Sequence, residues 1–248
     1  MEVLVVIAII LVLAAIIFPV YRTVQVRANK ARATARLRDM AQACMAYAAS
    51  NNNTLPEEDS KGTDDWQTAA KPENQNAWYN ALPRIMGKRG VGEYAKAPRD
   101  YYTSENVLFL PGAGYPDDDS KYRDPLFAFA INTKLHRKNE DGKKQDVLLT
   151  QITHPSKTVL FLEQGLPGEN KAMSSAQPKY DGSCKGSAKS FVARYAGEGI
   201  IVFVDGRAES INGKEILTES GEFHFPQEEI IWTRTPEENP NKSDDEAL

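Results

Sequence analysis

The sequence predicts an α+β fold in which one long N-terminal helix, membrane-spanning in its first part, packs on a mainly antiparallel β-sheet. The first 50 residues have the composition of a helix, and 21–50 contains neither glycine nor proline. After residue 100 the chain holds short runs of β-branched and aromatic residues that are bounded by turn signals. No helical pattern of ten residues alternates with these runs, so parallel βαβ units are not expected.

The first part of the helix is an uninterrupted apolar run from Val3 to Val20. A run of this length, at about 1.5 Å per residue, spans about 27 Å and approaches the hydrocarbon thickness of a bilayer. A cleaved secretory signal is the alternative, but its apolar core is usually shorter, follows basic residues and ends at a small-residue cleavage site. A retained, single-pass membrane anchor is therefore the favoured interpretation.

The second part of the helix is predicted to lay one face on a globular domain and to end near residue 50. Its apolar residues recur at helical spacing, at Leu37, Met40, Ala41, Cys44, Tyr47 and Ala48. Asn51–Asn53 and then Pro56 end the pattern. Pro19 lies inside the helix, where it removes a backbone donor and should loosen or kink the chain.

The rest of the chain is predicted to form a globular domain, residues 51–235, followed by an acidic tail, residues 236–248, with the composition of a disordered segment. Within the domain, strands are predicted at Val107–Leu110, Leu126–Ile131, Val147–Ile152, Thr158–Leu162, Phe191–Tyr195, Ile200–Val204, Arg207–Ile211 and Ile230–Thr233. Ile200–Val204 is apolar on both faces, so it should be central and covered by the long helix. Arg207–Ile211 alternates between polar and apolar residues and should lie nearer solvent. Asp205-Gly206 between them predicts a two-residue hairpin turn.

Charge is divided unevenly along the chain. Residues 1–50 hold six Lys or Arg against Glu2 and Asp39, whereas the whole chain has a formal net charge of −4. A basic patch can bind nucleic acid or anionic lipid, but this one has no interleaved aromatic residues. A solvated helix face or a subunit contact is the favoured interpretation, and no nucleic-acid partner is expected.

Few residues suggest a metal site. His136, His154 and His224 are far apart in the sequence and lie outside any zinc-binding motif. Asp117, Asp118 and Asp119 offer the hard oxygen ligands that Ca²⁺ prefers, yet a loop this small cannot turn three consecutive carboxylates towards one ion. A solvated loop is favoured. No cofactor is expected, with a structural calcium at these aspartates left as the alternative.

The two cysteines suggest neither catalysis nor a firm disulfide. Gly182-Ser183-Cys184-Lys185-Gly186 has the letters of a nucleophile elbow, but it lacks the preceding buried strand and following helix that this motif needs. Cys44 and Cys184 could pair in an oxidising compartment, whereas a buried, unpaired thiol on the helix face is favoured. The chain is therefore not expected to be an enzyme.

The N-terminal residues carry a resemblance to a known family. Together, Glu2–Ile10, Ala14–Val20, Arg32–Leu37 and Met40–Tyr47 resemble the N-terminal segment of type IV pilin-like proteins, most closely the type II secretion pseudopilins. The resemblance implies that a prepilin peptidase removes a short basic leader, that the new first residue is N-methylated, and that the helices form the core of a filament. The family's carboxylate falls on Glu2 and its helix-loosening proline on Pro19. The processing site would precede the printed Met1.

A weaker resemblance lies in the second half of the chain. Arg194-Tyr195, followed after nine residues by Asp205-Gly206, resembles the "H, nine residues, D-G" signature of a large pilin-like family, with Tyr195 in the place of the histidine. Ile152–Phe161 resembles the strand that precedes this signature. We expect the ring of Tyr195 to reach the neighbourhood of the Asp205-Gly206 turn and its hydroxyl to bond a turn backbone group, in a structural and not a catalytic role.

The resemblance implies a structural subunit of a type IV pilus-like or type II secretion pseudopilus filament. Its partners would be copies of itself, other pilins and an assembly platform, with the inner membrane holding it before assembly. Basic residues behind the span would favour a cytoplasmic domain, whereas the resemblance implies a periplasmic one. Glu2 is expected to pair with the N-terminal amine of a neighbouring subunit. The alternative is a single-pass membrane-anchored envelope binding protein that does not polymerise.

Overall fold

A computed structural model describes residues 2–58, 65–136, 145–169, 179–216 and 229–238. The helices are α1 (Glu2–Ser50), α2 (Trp66–Ala69), α3 (Trp78–Ile85), α4 (Pro98–Tyr101) and α5 (Gly213–Ile216). Short 3-10 turns lie at Pro72–Asn74, Val91–Tyr94, Asp119–Tyr122, Thr133–Leu135, Leu149–Gln151 and Ala188–Ser190. The strands are β1 (Phe129–Asn132), β2 (Val159–Glu163), β3 (Lys185–Gly186), β4 (Glu198–Phe203) and β5 (Ala208–Asn212). One long helix and one sheet make the predicted α+β fold.

The long helix α1 begins at Glu2 and ends at Ser50, close to the predicted end. Alanine, leucine, arginine and methionine dominate its second part, and all are good helix formers. The helix ends where Asn52 and Asn53 take φ angles of 53° and 59°, a left-handed conformation that asparagine tolerates better than most residues. Helical structure continues through position 19, while the loosening expected of Pro19 in a filament stays a prediction.

One face of the second part of α1 is buried. Leu37, Met40, Ala41, Cys44 and Ala48 are fully enclosed, and Tyr47 is half-buried. This face lies against α3 and β4. The predicted apolar stripe is confirmed, because its spacing places every member on the side that meets the domain.

The five strands form a single sheet in the order β3-β1-β2-β4-β5. The pairs β1–β2, β2–β4 and β4–β5 are antiparallel, and β3 joins the edge of β1 in parallel through two residues. The mainly antiparallel arrangement is as predicted. The two-residue β3 was missed, because a segment that short carries no alternation of polar and apolar residues.

β4 is central and apolar on both faces, as predicted. Ile200 and Val202 belong to the cluster that includes the buried face of α1, whereas Ile201 and Phe203 pack with Trp232 on the opposite side of the sheet. The neighbouring β5 is an edge strand in which Ile211 is buried while most other side chains are partly or fully exposed. Both expectations for this pair of strands are confirmed.

The hairpin between β4 and β5 has three loop residues, so the predicted two-residue turn is wrong. The backbone N–H of Phe203 donates to the carbonyl of Arg207 at 2.8 Å, which leaves Val204, Asp205 and Gly206 as the loop. Gly206 takes a φ of 87°, the left-handed position that three-residue hairpins require. The N–H of Val204 is held by the carbonyl of Thr158 at 2.9 Å, so Val204 is not free to extend the ladder with β5.

Four predicted strands are wrong. Val107–Leu110 forms turns. The guanidinium of Arg36 on α1 donates hydrogen bonds to the backbone carbonyls of Ser104, Asn106 and Phe109. These carbonyls are therefore satisfied without a partner strand. Val147–Ile152 contains a 3-10 turn at Leu149–Gln151 instead.

The other two wrong strands, Phe191–Tyr195 and Ile230–Thr233, contribute only isolated bridges. Gln164 pairs with Phe191, Tyr195 with Glu198, and Thr158 with Ile231. The side-chain amide of Asn132 donates a hydrogen bond to the carbonyl of Trp232 at 2.8 Å. This carbonyl is therefore not available as an acceptor for a neighbouring strand. Of the predicted acidic tail only 236–238 is described, and the rest lies outside the described residues.

Candidate functional site

The first part of α1 exposes an apolar surface to its surroundings. Large apolar side chains between 39% and 72% exposed follow one another along it: Val3, Val6, Ile7, Ile9, Ile10, Leu11, Val12, Leu13, Ile17, Phe18, Val20, Tyr21, Val24 and Val26. No part of the described chain covers the most apolar window, and by length and composition this helix is able to cross a membrane. An exposed apolar surface of this extent marks contact with lipid or with another protein.

The helix is tied to the sheet where its exposed part ends. Lys30 forms an ion pair with Glu198 at the start of β4, and Glu198 also accepts a hydrogen bond from the Ser210 hydroxyl at 2.9 Å. Hydrogen bonds from Lys30 and Ser210 hold the pKa of Glu198 below its usual value. Beyond this contact, towards residue 2, α1 extends away from the domain.

The signature residues Arg194 and Tyr195 lie in a buried polar cluster with Glu163 and Glu169, which we call the Arg194 cluster. Arg194 donates to both oxygens of Glu169 at 2.8 Å and to Oε1 of Glu163 at 3.3 Å. The Tyr195 hydroxyl donates to the same Glu163 oxygen at 2.9 Å. All four residues are almost fully enclosed.

Backbone groups complete the hydrogen bonding of the Arg194 cluster. Oε2 of Glu163 accepts from the Ile200 N–H at 2.9 Å, and Oε2 of Glu169 accepts from the Leu166 N–H at 3.0 Å. The Arg194 guanidinium donates further to the carbonyl of Ala128 at 3.2 Å and to that of Gln164. The cluster therefore joins the segments around β1, β2 and β4, because each segment supplies at least one of its partners.

The protonation states of the Arg194 cluster fit a structural role. Burial raises the pKa of Glu163 to about 7, and it also raises the pKa of the Tyr195 hydroxyl. Burial opposes the charge of Glu169, but hydrogen bonds from Arg194 outweigh it and lower the pKa of that carboxyl. Arg194 gives its two short bonds to Glu169 and a longer one to Glu163, so burial prevails at Glu163. A tyrosine held protonated in this way cannot replace the proton transfer of a histidine at neutral pH.

The structure does not bring Tyr195 to the Asp205-Gly206 turn, so this expectation is wrong. Tyr195 pairs with Glu198 through the backbone at 2.8 Å, at the start of β4, whereas Asp205 follows the end of that strand. At about 3.3 Å per residue, the strand separates the two sites by about 20 Å. Asp205 instead accepts a hydrogen bond from the Arg207 N–H at 2.9 Å. The hydroxyl of Tyr195 has a side-chain carboxylate as its partner, and not a turn backbone group.

The three aspartates proposed as calcium ligands lie on an exposed turn. Asp118 accepts from the Ser120 N–H at 3.0 Å, and Asp119 lies 3.6 Å from Arg99. Two of the three side chains are thus turned to different partners. Within the described residues no group of three His, Cys, Asp or Glu side chains is placed to hold a metal ion.

The histidines and cysteines do not form a reactive site in the described chain. His136 is buried with Nδ1 3.9 Å from Glu58, His154 is exposed, and His224 lies outside the described residues. Cys44 and Cys184 are both buried and do not form a disulfide, and burial raises the pKa of the Cys44 thiol. The short strand at Lys185–Gly186 comes after Cys184 and not before it, so the nucleophile elbow is not built.

The side chains of Glu2 and Pro19 lie outside the described part of the chain, and their assembly roles stay predictions. Sequence reasoning missed Glu163 and Glu169. A signal for Glu163 was present, because it directly follows the apolar run Thr158–Leu162, and a carboxylate at the end of a buried strand calls for a cationic partner. Glu169 follows a loop and carries no such signal.

Comparison of the chain with family models, with curated proteins and with solved structures finds no match.

Proposed function

We propose that the chain is a non-enzymatic structural subunit of a type IV pilus-like or type II secretion pseudopilus filament, assembled through α1. The observation that carries this proposal is the division of α1 into an exposed apolar part and a part packed on the sheet. One continuous helix then serves both as an anchor and as the rod that joins a domain to its neighbours.

The exposed part of α1 needs non-aqueous surroundings in every state of the protein. Its apolar run from Val3 to Val20 is about 27 Å long at about 1.5 Å per residue, which approaches the hydrocarbon thickness of a bilayer. A bilayer covers it before assembly, and copies of the same helix would cover it in a filament. Ala14 and Ala15 are exposed on this part, and small residues allow helices to approach closely.

In this proposal the globular domain faces the periplasm, and a prepilin peptidase and an assembly platform act on the inner-membrane form. The axial position of each subunit would be set by Glu2, paired with the N-terminal amine of its neighbour. A carboxylate at the edge of an apolar bundle is costly without such a partner. The pairing gives Glu2 a role in assembly that is separable from membrane insertion.

The decisive experiment compares Glu2→Ala with the unchanged chain in cells that carry an assembly machinery. We expect the unchanged chain in sheared filaments, and the Glu2→Ala chain in the membrane fraction at normal amount without filaments. Glu73→Ala removes an exposed carboxylate of the domain and should assemble normally. If the unchanged chain occurs only as membrane-bound monomers, the protein is an anchored envelope binding protein. If Glu2→Ala gives filaments in normal yield, its proposed role is wrong.

A further inference from the structure

A cavity of about 400 Å³ lies where α1 leaves the sheet. Its walls are the helix from Arg22 to Lys30 and the turn from Tyr195 to Glu198, and we call it the juxtamembrane pocket. Its volume lies within the range of about 300–1,000 Å³ that is typical of small-ligand sites. The pocket shares Tyr195 with the Arg194 cluster, but the Tyr195 hydroxyl is already bonded to Glu163.

The juxtamembrane pocket has an excess of positive charge. It is lined by Arg22, Arg27 and Lys30 against the single carboxylate of Glu198, and Lys30 already pairs with Glu198. The guanidinium of Arg22 lies 4.6 Å from the centre of the Phe18 ring. Within the described chain neither arginine has a carboxylate partner. Two exposed guanidinium groups therefore remain to bind an anion, and their planar donors match a phosphate.

The position of the pocket along α1 indicates which anion it meets. Arg22 is two residues and Arg27 seven residues beyond Val20, the end of the apolar run. At about 1.5 Å per residue they lie about 3 Å and about 10 Å past the hydrocarbon. The headgroup layer is roughly 5–8 Å thick on each side of a bilayer, and arginine side chains bend towards it along their apolar stems. Both guanidinium groups thus reach the depth of the lipid phosphates.

The opposite wall of the pocket is a preformed backbone turn. Ala196 and Gly197 take φ angles of 57° and 90°, and the turn is closed by hydrogen bonds of 2.8 Å and 3.2 Å between Tyr195 and Glu198. A left-handed conformation is unfavourable for alanine, and such residues concentrate at functional sites. The turn keeps the wall in place beside the helix without a ligand.

We propose that the juxtamembrane pocket binds the phosphate of an anionic phospholipid headgroup through Arg22 and Arg27, while Lys30 stays paired with Glu198. The bound lipid would fix the orientation of the globular domain over the bilayer. The proposal goes beyond the filament function. It rests on membrane anchoring by α1 but not on polymerisation, so its failure leaves the filament assay unaffected.

The test uses the full chain in a neutral detergent with an equal mixture of phosphatidylglycerol and phosphatidylcholine of matched acyl chains. Native mass spectrometry reports which lipid stays bound. Two arginines, each contributing about 1 kcal/mol with an anionic lipid, predict a preference for phosphatidylglycerol on the order of tenfold or more at low salt. The double variant Arg22→Gln/Arg27→Gln should lose this preference.

The matched control is Arg32→Gln/Arg38→Gln, which removes the same charge from exposed positions of α1 outside the pocket. It should keep the preference, and circular dichroism should show both double variants to be folded. Equal retention of the two lipids by the unchanged chain would overturn the proposal, as would an equal loss in the control. Glycerol 3-phosphate and inorganic phosphate are competitors in separate arms. Displacement of the lipid by either at equimolar concentration would show a site for a soluble phosphate and would also overturn it.

Discussion

The guanidinium of Arg194 donates two hydrogen bonds of 2.8 Å, one to each carboxylate oxygen of Glu169, inside the domain. Both side chains are about 1% exposed. Arg194 precedes β4 and Glu169 follows β2, so the pair links the segment before β4 to the loop after β2. The planar fork of arginine fits a carboxylate in this way, whereas the single ammonium of lysine does not.

Arg194→Lys should therefore lower the free energy of unfolding by about 2–3 kcal/mol, because it leaves buried carboxylate oxygens without donors. Urea unfolding of the full chain in detergent, followed by the fluorescence of the buried Trp78 and Trp232, measures this change. The control is Arg207→Lys on the exposed hairpin, which should change the free energy by less than about 0.5 kcal/mol. Equal effects of the two substitutions would show that Arg194 is replaceable.

Tyr195→Phe should lower the free energy of unfolding by about 1 kcal/mol, the usual net contribution of one hydrogen bond. The hydroxyl bond to Glu163 at 2.9 Å would be lost, while filament assembly should be unchanged. Tyr122→Phe is the control, since the Tyr122 hydroxyl has no hydrogen-bond partner within the described chain. A Tyr195→Phe variant of full stability that has lost assembly would contradict the structural role.

Glu163 should make stability depend on pH near neutrality. Burial raises its pKa to about 7 from 4.5 in the unfolded chain, so between these values the folded protein holds a proton that the unfolded chain has lost. The stabilisation is full below pH 4.5 and is lost as the pH rises through 7. The pKa of Glu169 is lowered, so the stability that this carboxylate contributes is lost in the opposite direction, as the pH falls below the usual pKa of a glutamate.

The experiment compares unfolding of the unchanged chain and of Glu163→Gln from about pH 5 to about pH 8, away from the range in which Glu169 titrates. The unchanged chain should lose on the order of 1–3 kcal/mol relative to the variant as the pH rises. All other titratable groups are the same in both proteins, so the difference between the two curves isolates Glu163. Parallel curves would mean that Glu163 stays charged beside Arg194 over the whole range.

The long helix could be predicted closely from the sequence because its signals are local. The spacing of Leu37, Met40 and Cys44 predicts which face of the helix is buried, and the asparagines after Ser50 predict where the helix ends. β4 was predictable for the same reason, since its residues Ile200–Phe203 are all apolar. Val107–Leu110 has an equally apolar run but forms turns, because Arg36, about 70 residues away in the sequence, binds the carbonyl of Phe109 and that of Asn106 just before the run. No local pattern reports such a partner.

The candidate site was predictable only in part. The exposed apolar run of α1 was evident from its length and lack of charge. The hydrogen-bond partner of Tyr195 was not evident from the sequence. It depends on the backbone bridge between Tyr195 and Glu198, after which β4 runs away from Tyr195. The resemblance to the pilin-like signature implied that Tyr195 lies near Asp205, whereas the length of β4 separates them. The juxtamembrane pocket likewise depends on a turn whose only sequence signal is the single glycine after Ala196.

Ala196→Asn should stabilise the protein by about 0.5–1 kcal/mol. Ala196 has a φ of 57° in a two-residue turn with Gly197, and asparagine followed by glycine is the preferred pair for a turn with two left-handed residues. Ala35→Asn makes the same change on the exposed, helical side of α1, where asparagine should cost about 0.5 kcal/mol. Thermal unfolding of the two variants should therefore shift in opposite directions by a few degrees. Because Ala196 contributes only a methyl group to the pocket wall, the preference for phosphatidylglycerol should be kept. A loss of stability at position 196 would mean that the turn relaxes to a right-handed conformation in solution, and the preformed wall would then have to form on lipid binding.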